Sequence, residues 1–150
     1  MSSYQRPHIL IVSDDQNLSQ FLGDGLMIAG FWVSIVASSL QTLELFRLRT
    51  FDLMLVDVML EGMGADELVQ RLRAQDAENE TPRTDIPILA IAGDAEELKR
   101  TDIESIAADA IILPPIEIEQ LALDMFSRIG QWRAEHPDRL WADQLAQHRD

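Results

Sequence analysis

The sequence predicts a doubly wound α/β fold, a parallel sheet with helices on both faces. Three observations carry this. Five short apolar runs alternate with stretches of helical periodicity along 150 residues, the size of one ordinary domain. The central runs show no polar alternation, which is the pattern of strands covered on both faces. Strand–helix alternation of this kind calls for right-handed crossovers, which lay the helices over the sheet.

The first strand is expected at His8–Val12, ending in Ser13-Asp14-Asp15. Leu18, Phe21, Leu22, Leu26 and Ala29 then repeat at helical spacing, and Gly30 closes that helix. Trp32–Val36 reads as the second strand. Ser38-Ser39 opens the second helix, with Ser38 and Gln41 at capping-box spacing. Leu53–Val56 is a wholly apolar strand that ends at Asp57. The third helix is predicted over Asp66–Arg73, where Glu67 and Arg71 stand at a favourable i,i+4 spacing. Residues 74–86, with Pro82, read as an exposed loop. Pro87–Ile91 follows as the fourth strand and Ala95–Ile106 as a weakly amphipathic helix. Ala110–Leu113 is the fifth strand, stopped by Pro114-Pro115. Leu121, Met125, Ile129 and Trp132 mark a long last helix, which Pro137 breaks. Asp138–His148 is predicted as one more short helix.

Composition narrows the function classes. Hydrophobic residues make up 47%, enough for a normal core. Ile9–Val12 and Leu53–Val56 are far too short to cross a bilayer, and the residues from Met1 to Arg6 carry no apolar signal segment. A soluble, cytoplasmic protein away from membranes is expected. With no cysteine, disulfides, thiol catalysis and the usual structural zinc sites are excluded. His8, His136 and His148 lack ligand spacing. A formal net charge of -14 repels phosphate backbones, so no direct nucleic-acid surface is expected.

In folds of this class, ligands sit at the carboxyl ends of the strands. Those ends carry Asp14-Asp15, Asp57, Ala92-Gly93-Asp94 and Pro114-Pro115. Taken singly, Asp14 and Asp15 read as helix caps and Asp57 as a turn residue. Taken together at the ends of one sheet, the three carboxylates suit a hard divalent cation such as Mg²⁺. The loop after the first strand, Ser13-Asp14-Asp15-Gln16-Asn17, has no glycine-rich phosphate cradle, which argues against a nucleotide or flavin binder.

The segments Ile9-Leu10-Ile11-Val12-Ser13-Asp14-Asp15, Asp52 through Leu60, Pro87-Ile88-Leu89-Ala90 and Ala108 through Ile112, in this order, resemble the receiver domain of two-component response regulators. The resemblance runs from about His8 to about Ile129 and implies a flavodoxin-like, five-stranded parallel sheet. It assigns residues 1–130 to the receiver and 131–150 to a C-terminal helical extension. It implies that Asp57 is the phosphoacceptor and that Asp14, Asp15, Asp57 and the Met59 carbonyl bind Mg²⁺. It implies a cis bond before Pro115. It also implies that partners, a sensor histidine kinase or a downstream effector, use the face of helix four, strand five and helix five.

The sequence departs from the family at the switch positions. The Thr or Ser at the end of strand four is Ala92, the Lys after strand five is Pro114, and the aromatic residue in strand five is Ile111. Glu61 and Ala65 replace the usual Pro and Gly after the acceptor. The only lysine, Lys99, lies in the helix after strand four, where it and Arg100 read as a solvated face. Glu61 and Asp94 add negative charge at the rim.

The chain therefore resembles a degenerate variant. Its expected function is a regulatory binding module with weak or no phosphorylation-dependent switching. The alternative is a working phosphoacceptor that uses Asp57 with Mg²⁺ on Asp14 and Asp15. A divalent cation is expected to bind in either case. An enzyme is not expected, because phosphatases with an aspartyl nucleophile need a second Asp two residues later, where this chain has Met59. Beyond Gly130, Trp132, Leu140, Trp141 and Leu145 form an apolar stripe. It is expected to pack on the domain itself, with a homodimer or partner-helix contact as the alternative.

Overall fold

The computed structural model of the chain describes residues 6–74, 84–100 and 103–142. Five parallel strands form one sheet in the order β2-β1-β3-β4-β5. They are β1 (His8–Val12), β2 (Trp32–Val36), β3 (Leu53–Asp57), β4 (Ile88–Ile91) and β5 (Ala110–Ile112). The helices between and after them are α1 (Gln16–Ala29), α2 (Ser39–Leu48), α3 (Ala65–Arg73), α4 (Ala95–Arg100) and α5 (Ile118–Glu135). This is the flavodoxin-like order, with its topological switch point between β1 and β3.

Strand residues alternate between the two faces, and each face has its own core. Ile9, Ile11, Leu53, Leu55, Leu89 and Ile91 meet Leu18, Leu22 and Leu26 of α1 and Leu121, Met125 and Ile129 of α5. Leu10, Val12, Met54, Val56, Ile88 and Ala90 meet Leu43 of α2 and Leu68 and Leu72 of α3. The three inner strands β1, β3 and β4 are buried almost throughout. The edge strands β2 and β5 are only partly covered.

Local signals set the helix ends. Asp15 caps α1, accepting from the amides of Asn17 and Leu18. Gly30 ends α1 at φ 119°, a left-handed conformation that glycine adopts without a Cβ penalty. Ser38 caps α2 by accepting from the Gln41 amide, and Gln41 Oε1 accepts from the Ala37 amide at 2.8 Å. The capping box thus reaches one residue further back than its usual form.

Two predicted helices are corrected. The segment Ala95–Ile106 is not one helix: α4 ends at Arg100 and a separate 3-10 turn covers Ile103–Ser105. The segment Asp138–His148 is not helical over 138–141, and helix begins only at Ala142. That stretch is held by other contacts. The Arg139 amide donates to the His136 carbonyl, and the Arg139 carbonyl accepts from the Arg133 guanidinium. The remainder of that predicted helix, with Leu145, lies outside the described residues, as do 75–83 of the predicted loop, with Pro82.

Of the expected apolar stripe, Trp132 at the end of α5 and Trp141 beyond it pack on the domain itself. Trp132 lies against the α2–α3 core and donates from Nε1 to the Asp85 carbonyl at 2.9 Å. Trp141 lies against the α1–α5 core, with the Arg133 guanidinium 3.8 Å from its ring centre. Leu140 stays largely exposed. No helix among the described residues is long and apolar enough to cross a membrane.

Candidate functional site

Asp57 closes β3 at the carboxyl edge of the sheet, in register with Ile91 of β4. It is 1% exposed. Both of its oxygens are engaged. Ser13 Oγ donates to Oδ2 at 2.6 Å, and the Met59 amide donates to Oδ1 at 2.9 Å. The Ser13 hydroxyl is itself fixed, since it accepts from the Asp15 amide at 3.1 Å while the Ser13 amide is bound to the Val36 carbonyl. Burial pushes the Asp57 carboxyl above the ordinary carboxylate range. Ser13 and Met59 pull it back down, and the negative charges of Asp14 and Asp15 push it up again.

The other expected ligands are only partly gathered. Asp14 is exposed and its Oδ2 accepts a long bond from the Glu61 amide at 3.4 Å. Asp15 points its Oδ1 into the first turn of α1. Met59 follows on the loop after β3 and is half-buried. Among the described residues, no three Asp, Glu or His side chains come together in a way that could hold a metal ion. Asp15 Oδ1 is taken up by its own helix and both Asp57 oxygens carry hydrogen bonds, while the Asp14 and Asp15 side chains stay exposed at the same strand end, where a hard cation would find oxygen ligands.

The switch positions are filled without polar groups. Ala92 is fully buried and its amide donates to the Ile112 carbonyl. Ile111 is half-buried against the α2–α3 core. The Pro114–Pro115 bond is cis, as the resemblance implied. The side chains of Lys99 and Arg100 lie outside the described residues.

Three residues join the site or its support that the sequence did not reveal. Ser13 takes the position against Asp57. Glu97, in α4, is 9% exposed and feels the charge of Asp57. Asp52, just before β3 at the opposite edge of the sheet, is 5% exposed. It accepts from the His8 amide at 2.7 Å and from the Ala142 amide at 3.1 Å. The only sequence signal for Asp52 was a carboxylate abutting a wholly apolar strand, which is where a buried one would stand.

The comparisons with known proteins agree with this fold. The family model described as response regulator receiver domain matches residues 9–125. A probable transcriptional regulator, ycf27, of Cyanidium caldarium is 30% identical over 125 residues, 81% of this chain and 47% of the regulator. An uncharacterized transcriptional regulatory protein, YkoG, of Bacillus subtilis is 33% identical over 117 residues, 78% of this chain and 48% of that protein. The chain thus spans about half the length of the curated relatives it matches. Among solved structures, a sensor protein from Polaromonas sp. JS666 superimposes with a TM-score of 0.67 at 27% identity, covering 85% of this chain and 98% of that one. The signal receiver domain of an HD domain-containing protein from Pseudomonas fluorescens Pf-5 has the same fold, with a TM-score of 0.72 at 19% identity over 93% of this chain and 98% of that one.

Proposed function

This chain belongs to the response regulator receiver domain family of two-component signalling, and from that premise we propose that it is an atypical receiver, a non-catalytic binding module whose output depends weakly or not at all on phosphorylation. One observation carries the reading. The buried acceptor position, Asp57, is satisfied internally by Ser13 and Met59, and the charges acting on it from Asp14 and Asp15 are negative. A phosphoryl group adds charge of the same sign. At the positions where a receiver supplies a hydroxyl and an ammonium, this chain has Ala92 and Pro114. A modification shifts a two-state equilibrium only through interactions that differ between the states, and neither side chain can supply one to a phosphoryl group.

The test is incubation with Mg²⁺ and acetyl phosphate, read by intact mass with Asp57→Asn as control. The expected result is little or no uptake under conditions that modify an ordinary receiver. Uptake of one phosphoryl group, absent in the control, would make the chain a working phosphoacceptor on Asp57 and overturn the reading. Asp14, Asp57 and the Met59 carbonyl leave only a weak site for Mg²⁺, expected at millimolar concentration by titration calorimetry.

We place the protein in the cytoplasm, where its partners are a sensor kinase or a downstream effector rather than nucleic acid or membrane. The proposed docking face is formed by α4, β5 and α5. There Leu113 and Leu123 are 54% and 65% exposed, and a cleft is lined by Ile112, Leu113, Pro115, Ile116 and Gln120. Residues 131–150 are read as an extension added to a receiver of residues 1–130.

A further inference from the structure

Glu97 stands in the first turn of α4 and is 9% exposed. Its Oε2 accepts from the Gly93 amide at 2.6 Å, while its own amide donates to Asp94 Oδ1 at 3.1 Å. The position of Gly93 matters. The Val58 amide is bound to the Ile91 carbonyl and the Ala92 amide to the Ile112 carbonyl. The Gly93 N–H is therefore the first beyond β4 that the sheet does not consume, at the edge where Asp57 lies in register with Ile91.

A contact of the same shape opens α2, where Ser38 caps and Gln41 reaches back to the Ala37 amide. That side chain is a neutral amide on an exposed residue. A glutamine would start α4 equally well. A carboxylate buried within the field of Asp57 costs free energy that a helix start alone does not need. Burial is the largest influence raising the Glu97 carboxyl above its usual range, and the charge of Asp57 adds to it.

We propose that Glu97 is a built-in anionic latch, whose carboxylate holds the loop between β4 and α4 closed beside Asp57 by occupying the Gly93 amide. The pocket then carries its own anion, and the loop is drawn in without a phosphoryl group. This deepens the phosphorylation-independent reading and rests on it for its meaning, while the latch itself is a property of the unmodified chain.

The test is amide hydrogen exchange, by nuclear magnetic resonance, on the full chain and on Glu97→Ala and Glu97→Gln. Leu89 and Ala90 of β4 serve as internal controls for the fold. Charge-assisted hydrogen bonds are about twice as strong as neutral ones, so Glu97→Gln, which keeps an acceptor oxygen, is expected to be intermediate. Glu97→Ala is expected to speed exchange at Gly93 by about tenfold or more, with Leu89 and Ala90 unchanged. Unchanged exchange at Gly93 in Glu97→Ala would overturn the latch. Wild-type exchange in Glu97→Gln would overturn the role of the charge, and that variant decides the matter if the alanine variant does not fold. Phosphoryl uptake by the wild type bears only on the functional reading and leaves these rates unaffected, so the two can fail separately.

Discussion

Ser13 and Asp57 are 44 residues apart in the chain, and their side chains meet at 2.6 Å, hydroxyl to carboxylate. The bond opposes the effect of burial on Asp57. Ser13→Ala is therefore expected to move the Asp57 pKa further up. The measurement is a carbon-13 titration of the Asp57 carboxyl in both proteins. An unmoved or lowered pKa in the variant would contradict the assigned geometry.

The same raised pKa makes a stability prediction for Asp57→Asn. The native state holds the Asp57 proton at a pH where the unfolded chain, with its ordinary value of 3.8, has lost it. Stability from this group is thus fully present below 3.8 and is lost as pH rises through the folded pKa. Asparagine avoids burying the charge and still presents an oxygen to the Met59 amide. At pH 7 the variant is expected to be more stable, with a higher Tm. The gain should shrink toward pH 4. Thermal unfolding at both pH values decides it.

Asp52 supports the other edge of the sheet. Asp52→Ala removes the acceptor for the His8 and Ala142 amides, both close to buried core. The expected loss is about 2–4 kcal/mol, measured by urea unfolding. Proteolytic cleavage around residues 136–142 should accelerate in parallel, because the Ala142 contact helps hold that segment down.

The missing switch chemistry can be tested by supplying it. Ala92→Thr with Pro114→Lys provides one hydroxyl and one ammonium at the strand ends around Asp57. The double variant is expected to take up phosphoryl from acetyl phosphate about tenfold faster than the wild type, since a cation there offsets developing negative charge. Equal rates, with the fold verified, would mean that these two positions do not account for the atypical behaviour.

Much of this architecture was legible because its causes are local. Apolar runs without alternation marked β1, β3 and β4, and Gly30 and Ser38 ended and began helices through their own backbone and side-chain chemistry. Asp57 was legible as a carboxylate at the end of such a run. What escaped was non-local. A buried Asp52 and an exposed aspartate look alike until partners 44 and 90 residues away are known. Ser13 carried no role of its own beside two more conspicuous acids, and Asp15 proved to be the helix cap among them. The α4 region misled because its weak apolar periodicity ran on past Arg100, whereas Ile103–Ser105 form a separate 3-10 turn.

The Ala142 hydrogen bond has a kinetic consequence. Asp52 and Ala142 are separated by 90 residues, so their pairing closes a long loop. Closing it early would cost entropy before most of the sheet could repay it. It belongs on the native side of the folding barrier, among interactions that form last and open first. Removing the clasp should leave the refolding rate nearly unchanged and speed unfolding, so its effect falls on how long the native state persists.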